Sequence, residues 1–253
     1  MVRHTRIRSR ARGEAKRAGR WTCRAGRATC AEIVAELQSL ANPANVAGMA
    51  CYGINSENML GVSIPSLRAM AKRIGRDHAL ALELWASGIH EARILAGLVD
   101  DPAMVTAAQL ERWAKDFDSW DACDGVCSNL FDKTPFAWDK AVAWSARSQE
   151  FVKRAGFVLM AALAVHDKKA PDERFMKFLP LIEREAVDER NFVKKAVNWA
   201  LRQIGKRNRA LNRDAIAAAK RIREIDSRSA RWIAADALRE LESDAVRERL
   251  SKR

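Results

Sequence analysis

The segment Phe151-Val152-Lys153-Arg154-Ala155 returns as Phe192-Val193-Lys194-Lys195-Ala196, 41 residues later. Ala230-Arg231-Trp232-Ile233-Ala234 echoes it after about another 36 residues, and Glu91-Ala92-Arg93-Ile94-Leu95 is a looser echo upstream. A chain that repeats itself at this interval has few architectures open to it. Each unit is too small to bury a core alone and must stack on its neighbours. No segment alternates apolar and polar residues as a half-buried strand would, and nearly every segment has helical periodicity with breakers at its ends. Helices are predicted over 30–41, 43–52, 65–75, 77–87, 89–99, 106–117, 119–132, 135–146, 148–166, 172–186, 190–207, 212–225, 228–240 and 242–250. Pro43, Pro65, Pro102, Pro135 and Pro171 fall near predicted helix starts, where a missing N–H costs little. Pro180 is predicted to kink or split its helix. Thr29 followed by Glu32 reads as a capping box.

A helical period near 40 fits an all-α, HEAT-like solenoid in which helix pairs stack and equivalent helices line one concave surface. The chain is expected to hold a single such domain over 28–253, after a leader over 1–27. Arg93, Arg154, Lys195 and Arg231 would then recur along the concave face. A row of cations at repeat spacing can follow a nucleic-acid backbone. Solvated surface charge with ordinary ion pairs is the other reading.

The formal charge of +13 is unevenly placed. Residues 1–27 hold nine Arg and one Lys against Glu14, whereas the remainder has 35 basic and 31 acidic residues. The leader therefore carries most of the excess, and the body's balance points only weakly to nucleic acid. The leader has too few apolar residues to fold. It reads as a non-functional extension, with a nucleic-acid arm or an organelle-targeting segment as the other readings. No apolar run reaches the roughly 18 residues that a membrane span needs. Cys23, Cys30, Cys51, Cys123 and Cys127 are odd in number and irregularly spaced, which argues against a disulfide framework. Cys123 and Cys127 share a helix face but lack a second Cys/His pair, so they read as small core residues rather than metal ligands. His4, His78, His90 and His166 are scattered and read as surface or satisfied histidines. No metal and no cofactor are expected.

Three residues stand out from this background. Trp120 and Asp124 are four apart in Ser119–Asp132, so a helix projects them from one side, a turn apart. Trp199 lies off the apolar stripe Val193, Val197, Ala200, Leu201 and Ile204, with Lys195, Arg202 and Lys206 on its side. Two indoles, a carboxylate and nearby cations could hold a positively charged group beside a phosphate backbone. Taken singly, Trp120 reads as a helix anchor, Asp124 as a surface acid, and Trp199 as groove wall or inter-repeat packing. Trp85, Trp113, Trp138, Trp144 and Trp232 read as packing residues.

Over roughly residues 30–240 the chain resembles the AlkD-like alkylpurine DNA glycosylases. Trp120-Asp121-Ala122-Cys123-Asp124 is similar to that family's Trp-Asp-x-x-Asp segment, and Phe192–Arg202 resembles the stretch that bears its second active-site Trp. Lys153-Arg154-Ala155 matches the position of an active-site Arg. Met49-Ala50-Cys51-Tyr52, followed by Leu60–Pro65, resembles the entry segment whose Tyr lies near the damaged base.

The resemblance implies hydrolysis of the N-glycosidic bond of N3- or N7-alkylated purines in double-stranded DNA, without flipping the base into a deep pocket. Asp124 would stabilise the sugar cation and position water, and Trp120 and Trp199 would flank the damaged nucleotide. Arg154 would hold a backbone phosphate and Tyr52 would approach from the duplex side. Lys195, Arg202 and Arg93 would contact DNA. A monomer in the cytoplasm, on the nucleoid, is the matching expectation. A non-catalytic DNA-binding repeat protein and a protein scaffold are the alternatives.

Overall fold

A computed structural model describes residues 28–252, so the leader and Cys23 lie outside the described residues. The described residues form helices α1 (Cys30–Ser39), α2 (Pro43–Ala50), α3 (Ile64–Ile74), α4 (His78–Ala86), α5 (His90–Val99), α6 (Ala107–Lys115) and α7 (Trp120–Asn129). They continue as α8 (Ala137–Ser145), α9 (Glu150–His166), α10 (Asp172–Met176), α11 (Leu179–Glu185), α12 (Asn191–Gly205), α13 (Arg209–Arg223), α14 (Arg228–Leu241) and α15 (Asp244–Ser251). None is long and apolar enough to cross a membrane.

Local chemistry sets these boundaries. Thr29 and Glu32 form the expected reciprocal cap of α1. Pro43 and Pro65 sit in the first turns of α2 and α3. The segment predicted as one helix over 172–186 is two, with Pro180 in the first turn of the second. Two boundaries differ from prediction. Leu130 turns out of helical geometry (φ −128°, ψ −61°) and a short 3-10 turn, Phe131–Lys133, follows α7. The helix expected from 212 starts at Arg209, because the Asn208 side chain accepts from the Leu211 N–H.

The helices pack in two layers. In the inner layer α5 lies on α7, α7 on α9, α9 on α12 and α12 on α14, while α4, α6, α8, α11 and α13 back them. Where α9 crosses α8, a Cβ on Gly156 would sit 2.6 Å from the Ser145 nitrogen, so only glycine permits this approach. The backing layer is knitted by indoles. Trp85 stacks on Trp113 with centroids 4.0 Å apart, Trp138 stacks on Phe178 at 5.2 Å, and Trp144 is fully buried. These four are packing residues, as expected. Trp232 differs from them in being 41% exposed.

Burial fixes the repeat register. Counting from each helix start, the third residue is buried in every inner helix: Ala92, Ala122, Val152, Val193 and Ala230. The fifth residues are then Ile94, Asp124, Arg154, Lys195 and Trp232. This corrects the expected cation row. Arg93 and Arg231 are fourth residues, rotated by about 100° from the fifth. Three of the fourth residues are tied to other segments, while Lys194 in α12 turns toward Trp232 of α14. Arg93 donates to the Asp116 carbonyl at 3.1 Å, Lys153 pairs with Glu185 at 2.5 Å, and Arg231 pairs with Asp226 at 2.9 Å.

Candidate functional site

The fifth positions of α7, α9 and α12 meet in one place. Tyr52, Trp120, Asp124, Arg154, Phe192, Lys195 and Trp199 line a cavity of about 340 Å³. The helix turn in α7 sets Trp120 and Asp124 on its rim, and the Trp120 indole N–H donates to the Tyr52 carbonyl at 3.2 Å. Tyr52 is 75% exposed, so this wall is open to solvent.

Asp124 does not stand alone. Arg154 Nε donates to Oδ1 at 2.8 Å and Nη2 to Oδ2 at 2.7 Å, a bidentate clasp. Arg154 Nη1 donates to the Phe192 carbonyl at 2.6 Å. One guanidinium therefore links α7, α9 and the start of α12. Arg154 is buried, while the Asp124 side chain keeps about a fifth of its surface exposed, 20%. Burial pushes the Asp124 carboxyl above its usual range; the Arg154 charge and hydrogen bonds oppose this, and the Asp121 charge adds to it. Arg154 stays cationic at all ordinary pH. The bidentate geometry is that of an ionised pair.

The sequence expectation puts Arg154 on a backbone phosphate, and the structure shows where its nitrogens are engaged. All three of its nitrogens donate to protein groups, two to the Asp124 carboxylate and one to the Phe192 carbonyl. Arg93 and Arg202 are also relocated. Arg93 lies across the face of Trp85, 5.5 Å from the ring, and Arg202 pairs with Glu240 at 2.7 Å and Asp236 at 3.3 Å. Neither lines the cavity, because each is drawn to a carbonyl or carboxylate on a neighbouring element. Trp199 packs partly against the core and presents its remainder to the cavity. Phe192 is a site residue that sequence reasoning passed over. Its ring contacts Phe151 at 5.5 Å and its carbonyl holds Arg154, and only its place in the repeated segment signalled it.

Behind Trp120 lies a second, apolar cavity of about 530 Å³ between α2, α3, α5 and α7. It shares Tyr52, Trp120 and Asp124 with the first. Its walls include Met49, Ile54, Val62, Ile94 and Leu98, together with His90 and Asp121. His90 is buried and bonds Asp121 Oδ2 at 2.8 Å. Burial disfavours the imidazolium, yet Asp121 outweighs it and holds the His90 pKa above its ordinary value. Burial likewise works against the Asp121 carboxylate, but the bond from His90 keeps its pKa low. His90 is thus the satisfied histidine that the sequence suggested. Cys123 and Cys127 are buried core residues.

The segment carrying Tyr52 to this site is anchored by one buried acid. Glu91, 1% exposed, accepts from the N–H groups of Leu60 (2.9 Å), Gly61 (2.5 Å) and Val62 (3.3 Å). Gly61 has φ +77° and faces the Asn42 carbonyl, leaving no room for a side chain. Glu91→Ala would strip acceptors from two buried donors and a half-buried one, at about 1–3 kcal/mol each before relaxation. The expected outcome is a loss of about 3 kcal/mol in chemical denaturation, with faster amide exchange at 60–62 than in α12.

Comparison with known proteins places this arrangement. Residues 33–241 match the family model described as DNA alkylation repair enzyme. The chain belongs to that family. An uncharacterized protein of Listeria innocua serovar 6a is 24% identical over 198 residues, covering 77% of this chain and 86% of the relative. A solved structure described as belonging to a new family of proteins related to the HEAT-like repeat DNA glycosylases, with affinity for branched DNA structures, superposes with a TM-score of 0.73. It is 22% identical and covers 88% of this chain and 96% of its own. This member of the DNA alkylation repair family therefore has the HEAT-like repeat fold expected from its sequence period.

Proposed function

We propose that this chain is a monofunctional DNA glycosylase that hydrolyses the N-glycosidic bond of N3- or N7-alkylated purines in duplex DNA. The observation that carries the reading is the Asp124 carboxylate, clasped by Arg154 in a cavity walled by Trp120 and Trp199. An alkylated purine is already cationic and leaves readily, so no general acid is required. Charge then develops on the sugar, and a fixed carboxylate is its complement. The same carboxylate accepts a hydrogen bond from the attacking water and takes its proton as the C–O bond forms. Trp120 and Trp199 exclude bulk water and attract the cation by about 0.5–2 kcal/mol each. Lys195, exposed at the rim, meets the backbone phosphate. The solvent-open Tyr52 wall suits a lesion presented in the trough, without extrusion into a closed pocket.

Magnitudes bound the carboxylate's contribution. At about 4 Å and an effective dielectric near 20, one opposite charge is worth roughly 4 kcal/mol. Arg154 lies farther from the sugar, and at about 8 Å it returns roughly 2 kcal/mol as repulsion. The intact pair thus contributes roughly 2 kcal/mol, about 30-fold in rate, and water positioning adds to it.

A second reading, binding of DNA without base release, is favoured by the fold neighbour described as having affinity for branched DNA. Free base released from methylated duplex by the wild type separates the two, and its absence with binding intact selects the second. Duplex affinity should also fall with salt. Lys195→Ala should reduce the slope of log K against log salt by about 1, in a chain beginning at Ala28 so that the leader adds nothing. Salt-independent or absent binding would point to a protein scaffold.

A further inference from the structure

We propose that Trp232 and Lys194 form a second nucleic-acid contact, a stacking platform for a DNA base that has lost its pairing partner. The proposal rests on the reading that DNA lies along the inner helices. It adds a second site, with its own ligand, to that reading.

Register is the first support. Trp232 occupies in α14 the position that Lys195 holds in α12 and Arg154 in α9, so it continues the same ladder one helix farther on. Inner helices pack about 8–10 Å apart, and one strand of DNA advances about 3.4 Å per nucleotide. Trp232 therefore lies about three nucleotides beyond the cavity.

Exposure is the second. Among the described residues the other tryptophans are buried or half-buried, whereas Trp232 is 41% exposed. About two-fifths of this indole is left at the surface, more than packing between the helices requires. Charge is the third. Lys194 Nζ stands 5.4 Å from the Trp232 ring centroid, and Glu189, which accepts from the Ser229 N–H at the start of α14, offsets part of the charge of Lys194 and Arg228. Lys195 and Arg228 are exposed beside it. Arg231 is partly neutralised by Asp226.

An indole flanked by cations matches the chemistry of single-strand binding, in which bases stack on aromatic faces while lysines follow the phosphates. An intact duplex offers no base face here, because each is covered by its neighbours. The ligand is therefore DNA with unpaired nucleotides, such as a gap or fork, on the α14 side of the cavity. One stacked base should raise affinity about 5- to 150-fold.

The test compares intact duplex with a duplex carrying a short gap that contains 2-aminopurine, whose fluorescence falls when it stacks. Expected for the wild type is tighter binding of the gapped DNA and quenching of the 2-aminopurine. Trp232→Ala should remove about 5- to 150-fold of gapped-DNA affinity and leave duplex affinity within about twofold. Trp232→Phe should retain most of the preference, and Lys194→Ala should reduce it without touching the fold. Absence of quenching in the wild-type complex overturns the proposal and requires no variant. Equal losses on both DNAs for Trp232→Ala also overturn it. Gapped-DNA binding through Trp232 by a protein that releases no base would sink the glycosylase reading and leave this one standing.

Discussion

Asp124→Asn is expected to lower the rate of methylated-base release about a thousandfold while DNA affinity holds or rises. The size follows from what the substitution leaves behind. It removes roughly 4 kcal/mol of attraction for the sugar cation, and the Arg154 repulsion of roughly 2 kcal/mol is no longer offset. The variant site therefore opposes the charge that the wild type favours by a similar amount. The full difference of roughly 4 kcal/mol corresponds to about a thousandfold. Single-turnover assays of free base measure it, and unchanged release would end the assignment of Asp124. A pH profile gives a second check. The reaction needs the carboxylate ionised, and burial holds the Asp124 pKa above the ordinary value. Activity is full above that pKa and falls as pH drops through it. The acid limb should therefore lie above that of an exposed carboxylate and vanish in the Asn variant.

Arg154→Ala is expected to be the most destabilising single change at the site. It leaves a largely buried carboxylate without a counter-charge and the Phe192 carbonyl without its donor. Breaking a buried pair in this way costs about 3–5 kcal/mol. For a chain of this size that lowers Tm by about 6–20 °C, read by calorimetry. Release of base should fall at neutral pH and partly recover at higher pH, because Asp124 without its partner ionises later. Asp124→Leu combined with Arg154→Met separates stability from chemistry. Apolar replacement of a buried pair is often neutral or stabilising, so the double variant should regain most of the lost Tm and remain inactive. A double variant as unstable as Arg154→Ala would show that the clasp itself is not what stabilises this region.

Much of this was legible in the sequence because it is local. Helix starts were written in caps such as Thr29, and in prolines such as Pro43 and Pro180, whose effects act within a turn. The side-by-side projection of Trp120 and Asp124 follows from four residues on a helix. Tyr52, Lys195 and Trp199 reach the same cavity because the repeats stack in order. What failed depends on partners distant in sequence. The sequence leaves Arg154 free to meet phosphate, but its carboxylate lies 30 residues away on the preceding inner helix. The repeat echoes alone set Arg93 and Arg231 in the cation row with Arg154 and Lys195. Burial of the third position shows that they are one step out of phase, so their side chains turn toward other segments. Trp232 is indistinguishable from the packing indoles in the sequence because its cation, Lys194, stands on another helix. The apolar cavity behind Trp120 left no pattern in the chain, since it forms between α2, which has no buried residue of its own, and α3, α5 and α7.

The Arg154 fork reaches from the Asp124 oxygens to the Phe192 carbonyl, and so couples three successive units of a tandem array. In most solenoids units are interchangeable, and nature lengthens or shortens them by whole-unit duplication. Here the stretch from α7 to α12 behaves as one indivisible block. A unit inserted within it would part the fork from one of its ends, whereas growth beyond α14 would leave it intact.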